Sequence, residues 1–146
     1  MTYDLEKFVK SQNAGYGGYE MALDEIKRGK KQSHWIWYIF PQLKQLGRSS
    51  TAQYFGIDDI HEATAYLSHP ILGARLIEIS QALLDLDETD PVKILGHTDA
   101  MKVKSCMTLF LQIQPENKVL RAVIDKYYNG QLDNKTLSYL IYGDQQ

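Results

Sequence analysis

Leucine or isoleucine stands at 72, 76, 79, 83 and 86, a spacing that lines one side of a helix. Gly73, Ile77, Ser80 and Leu84 form a second stripe beside the first. A face this broad has to be covered by more than one neighbour, so the segment reads as a central helix. Pro70 stands just ahead, where its missing N–H costs nothing.

The covering elements also read as helices. Asp4 is placed to cap a first helix with Leu5, Phe8 and Val9 on one face. Tyr19 to Arg28 gives a second, stopped by Gly29. Ser49 or Ser50 starts a short helix that Gly56 stops, and Asp58 caps the next, with Ile60, Ala63 and Leu67 inward. Asp90-Pro91 opens a short turn through Leu95, and Thr98 caps a helix to about Gln112. Val119 to Tyr127 marks another, and Asp133 caps the last. Ser33 to Phe40 is apolar on both faces when read as a strand, and no other segment offers it a partner. Read as a helix, it is capped by Ser33, ends before Pro41 and lies buried. The expected fold is all-α: residues 1–146 form one compact single-domain bundle of about eight helices, some short.

Composition narrows the partners. Net charge is −2, whereas a general nucleic-acid binder is basic. A nucleic-acid partner is therefore not expected, and Lys27, Arg28, Lys30 and Lys31 read as a solvated helix end. The lone Cys106 excludes an intrachain disulfide and a cysteine-based zinc site, and fits a reducing, cytoplasmic setting. The first residues lack the pattern of a signal peptide, and the longest apolar run, Trp35 to Phe40, is too short for a membrane span. Ten of the sixteen aromatic residues are tyrosines, amphipathic groups suited to a core boundary or a cleft.

The usual catalytic signatures are missing: a phosphate-binding loop, a strand–GxGxxG–helix unit and a His-x-x-x-His pair. His34, His61, His69 and His97 are not spaced for a local metal site, and no metal or cofactor is expected. Cys106 shares a helix side with Asp99 and Lys102 but reads as a small buried side chain. Gly15-Tyr16-Gly17-Gly18 precedes a helix N-terminus, a place for an anion or simply a turn. In Lys30-Lys31-Gln32-Ser33-His34-Trp35, cations stand beside a histidine and tryptophans, a set that could hold a phosphate and stack a ring or could belong to the core.

These residues carry a resemblance. Gly29-Lys30-Lys31-Gln32-Ser33-His34-Trp35-Ile36-Trp37-Tyr38-Ile39-Phe40-Pro41-Gln42-Leu43 is similar to the signature of the bacterial domain-of-unknown-function family 1810, some members of which are labelled calpastatin. Tyr66 to Leu76 resembles the second motif of that family and Asp99 to Phe110 its third, with Ser105-Cys106 in place of Ser-Ser. The resemblance spans nearly the whole chain and implies an all-helical fold. It supplies no activity, cofactor or catalytic residue, and its Ser-Ser pattern gives the Cys106 thiol no required part.

The functional expectation is a small-molecule site for a nucleotide or another phosphorylated metabolite. Lys31, His34, Trp37, Arg75 and Lys102 are its binding candidates, and His34, His69 and Asp99 its catalytic candidates should it be a hydrolase. His34, Arg75 and Lys102 are expected to converge on one cleft. The alternative is a non-enzymatic interaction module that holds a protein partner in an apolar groove.

Overall fold

The central helix anticipated from the leucine stripe is α6, Leu72–Leu84, in a computed structural model that describes residues 3–142. The expected domain of residues 1–146 extends past these at both ends. Leu72, Leu76, Ile79 and Leu83 are all buried, as are Gly73 and Ser80 of the second stripe. Two helices cover this face, α5 (Ile60–Ser68) and α9 (Lys118–Tyr128). Both also pack on the longest helix, α8 (His97–Ile113), so the four close a ring around the core. Smaller helices surround it. α2 (Tyr19–Lys27) lies against α6 and against α1 (Glu6–Gln12), which meets α3 (Ile36–Ile39). α7 (Pro91–Leu95) and α10 (Asn134–Tyr142) flank α8. A 3-10 turn, Lys44–Leu46, contacts α4 (Ser50–Tyr54) and α10. Helix accounts for 66% of the described residues, which form no strand; Leu43 and Ile57 pair in a single parallel bridge.

The count is ten α-helices among the described residues, against the expected eight or so. Several caps sit one or two residues from their expected places. Asp59, not Asp58, accepts from the N–H groups of His61 and Glu62. Gly96 with φ +84°, not Thr98, begins α8, and Leu5, which makes no side-chain cap bond, precedes α1 in place of Asp4. Ser49, Asp90 and Asn117 cap α4, α7 and α9 through their side chains. The largest departure is at Ser33–Phe40, where only Ile36–Ile39 is helical. Ser33 does not cap it: Trp35 holds the N-cap position without a side-chain bond, and the Ser33 N–H and hydroxyl both donate to Glu25.

The α5–α6 corner is closed by His69, whose Nδ1 accepts from the N–H groups of Ile71 and Leu72 at 3.1 and 3.3 Å. A β-carbon on Gly73 would meet the carbonyl oxygen of Leu67 at 2.0 Å. That neighbour is backbone and cannot swing aside, so Gly73→Ala should cost about 1 to 3 kcal/mol in a denaturant titration. A variant as stable as the parent would show that the corner opens freely.

Candidate ligand cleft

A single buried lysine organises the first motif. Lys31 Nζ lies 2.8 Å from Asp99 Oδ2, bonds the Ser33 carbonyl and sits 4.7 Å from the ring centroid of Trp35. Its backbone N–H donates to Ile94 O at 2.7 Å, which ties the segment to α7. Asp99 also faces Lys102 at 3.8 Å, one turn along α8. The closer cation takes the carboxylate, so Lys102 is held loosely there and extends over the ring of Trp37, 5.7 Å from its centroid. Lys31, Trp37, Asp99 and Lys102 thus form one network from two distant stretches of sequence.

Lys102 opens onto a cleft of about 860 Å³. Thr98, Met101, Lys102 and Ser105 form one wall, placed on a single face of α8 by their spacing. The 3-10 turn and its flanks supply a second wall with Gln42, Gln45, Leu46 and Arg48. The α9–α10 connection and the start of α10 supply the third, with Leu132, Asp133, Lys135 and Tyr139 among its residues. Four cations, Arg48, Lys102, Lys104 and Lys135, therefore stand around it against one carboxylate. That carboxylate is committed elsewhere. Asp133 Oδ2 accepts from Thr136 Oγ1 at 2.6 Å, Thr136 N at 3.1 Å and Ser105 Oγ at 3.1 Å. Among the described residues, Arg48, Lys104 and Lys135 have no carboxylate within ion-pairing distance. An excess of unpaired positive charge in a concavity attracts anions.

The other expected residues lie elsewhere. Arg75 donates to Gln12 Oε1 at 3.2 Å and Asn13 Oδ1 at 3.0 Å and covers the ring of Tyr19. The Tyr19 hydroxyl donates to Glu78 at 2.5 Å. Burial, then that bond, raise the Tyr19 pKa. His34 is exposed on the loop before α3, and His69 holds the α5–α6 corner. Neither histidine is among the residues lining the cleft. Cys106 is fully buried, and burial pushes its thiol pKa up, as befits a core side chain. The glycine loop is a packed turn: Gly17 O accepts from Tyr38 Oη at 2.7 Å, and a β-carbon on Gly18 would lie 2.1 Å from Ala14 O.

The model of the family described as "Protein of unknown function (DUF1810)" matches residues 2–140. The chain belongs to that family. A solved crystal structure of the conserved hypothetical protein Rv1873 from Mycobacterium tuberculosis is similar at 37% identity, with a TM-score of 0.91 over 95% of this chain and 97% of that one. No curated protein matches. The stretch Gly29–Leu43 contributes Lys31 to the pair with Asp99 and reaches the cleft through Gln42, and the stretch Asp99–Phe110 supplies much of the α8 wall. No helix among the described residues is long and apolar enough to cross a membrane.

Residues that sequence reasoning missed are Arg48, Lys104, Lys135 and the side chains of the 3-10 turn. They come from turns and helix ends of ordinary surface composition. One signal was present: Met101, an exposed apolar residue next to Lys102 on a helix otherwise rich in buried groups.

Proposed function

We propose that this protein binds a small phosphorylated metabolite in the cationic cleft. One observation carries the reading: four cations from three elements face one internally bonded carboxylate on a chain whose net charge is negative. The cleft volume of about 860 Å³ lies within the range of small-molecule sites, roughly 300 to 1,000 Å³. Lys102 is the expected binding residue at the cleft itself. Lys31, Asp99 and Trp37 position it, and Arg75, His34 and His69 have no part in this reading.

Isothermal titration against a panel of phosphorylated metabolites tests it. At least one should bind, with affinity falling as salt rises. Lys104→Glu combined with Lys135→Glu should weaken that binding more than about tenfold, since each reversal replaces an attraction with a repulsion. Both side chains reach solvent, so the thermal midpoint should barely move. A panel without binders, or a double variant that binds as well as the parent, overturns the reading.

A further inference from the structure

Phosphate accounts for the cations but not for the rest of the cleft. Leu46, Met101, Leu132 and Tyr139 place apolar surface between the charges. Met101 is 45% exposed, and a flexible thioether of this kind packs well against aromatic rings. Four carboxamides, Gln42, Gln45, Gln131 and Asn134, line the same space. Carboxamides pair a donor with an acceptor and suit the edges of heterocyclic bases. Gln45 adds a sharper observation: its Oε1 is buried with no hydrogen-bond partner. A buried acceptor left unpaired is costly, and a ligand N–H reaching it after a small side-chain rotation would relieve that cost.

A sugar phosphate offers hydroxyls and no broad apolar face, so it would leave Met101, Leu132 and Tyr139 without a partner. A planar base has two apolar faces and a polar edge, and a tyrosine is a common stacking platform for one. We infer that the ligand is a nucleoside phosphate, its phosphate among Arg48, Lys104 and Lys135 and its base against Tyr139 and Met101 with an edge toward Gln45. This assignment rests on the anion reading of the cleft.

Titrations with AMP, GMP, CMP, UMP, ribose 5-phosphate and inorganic phosphate separate the two ideas. At least one nucleotide should bind ten times more tightly than ribose 5-phosphate. Gln45→Met keeps the side-chain length and removes the amide. It should cut that advantage below about threefold and leave the affinity for ribose 5-phosphate unchanged. Tyr139→Leu, which removes the ring, should also reduce the advantage and serves if the first variant does not fold. If ribose 5-phosphate binds as tightly as every nucleotide, the nucleoside assignment falls and the phosphate site stands. If none of the six ligands binds, the nucleoside assignment falls with it. An unchanged nucleotide preference in both variants overturns the placement of the base.

Discussion

Glu25→Ala is expected to remove about 3 to 5 kcal/mol of stability, while Glu25→Gln removes only about 1 to 2. The carboxylate is 5% exposed and serves four donors. Oε1 accepts from Gln32 N at 2.8 Å, Trp35 Nε1 at 2.9 Å and Ser33 N at 3.0 Å, and Oε2 accepts from Ser33 Oγ at 2.6 Å. Alanine leaves these donors unpaired, at roughly 1 to 3 kcal/mol each before water fills part of the gap. Glutamine keeps an oxygen for the three N–H donors, and its amide can donate to Ser33 Oγ, which then turns toward Met21 Sδ at 3.4 Å. The two variants differ again in acid. Burial pushes the Glu25 pKa up, but the bonds from Ser33, Gln32 and Trp35 outweigh it and bring it from 4.5 to about 2. The folded carboxylate thus holds its proton less tightly than the unfolded one. Its contribution, roughly 3 kcal/mol, is complete above pH 4.5 and is lost as the pH falls toward 2. Urea titrations from pH 6 to pH 2 should show the parent losing that increment relative to Glu25→Gln. Parallel pH profiles would show that the carboxylate is not held ionised.

The same carboxylate explains why the first motif was hard to read. A serine before an apolar run looks like a helix cap. Glu25, eight residues earlier, accepts from both the N–H and the hydroxyl of Ser33, and the helix starts two residues late. No local pattern announces a bond across that distance. Elements set by their own periodicity were legible: the α6 stripe, the apolar faces of α8 and α9, and the starts at Ser49 and Asp90. Short elements were harder to delimit: Ser33–Phe40 reads as one helix but holds a single turn, and the turn through Leu95 is a helix of five residues.

The site divides along the same line. Lys102 stood out as a charge beside an apolar face; Lys31 joins it through Asp99, the carboxylate that both face, and Trp37 through the ring that Lys102 covers. Arg75 stood out for the same reason, but its partners are Gln12, Asn13 and Tyr19, a separate polar network. A conspicuous charge shows that a partner is needed; the fold decides which one. Arg48, Lys104 and Lys135 were invisible because solvated cations are common on any surface. Only the meeting of the 3-10 turn, α8 and the start of α10 makes them one site.

Leu83→Ala should cost about 2 to 5 kcal/mol, the sum of lost transfer energy and an unfilled cavity. Leu83 is 1% exposed in the last turn of α6, against α9. Its backbone is secured independently. The Tyr127 hydroxyl donates to the Leu83 carbonyl, and Lys126 Nζ donates to those of Leu84, at 3.0 Å, and Leu86. These bonds give the free carbonyls at the end of α6 partners that a side-chain truncation does not touch. The alanine variant therefore isolates the packing contribution, and Tyr127→Phe isolates the hydrogen bond, which is worth about 1 kcal/mol. If the two sites act independently, the double variant should lose the sum of the two. A larger loss would mean that the cavity lets the end of α6 pull away from α9 once the hydroxyl is gone. Leu83→Ala measured within half a kcal/mol of the parent would mean that the stripe does not face the core at all.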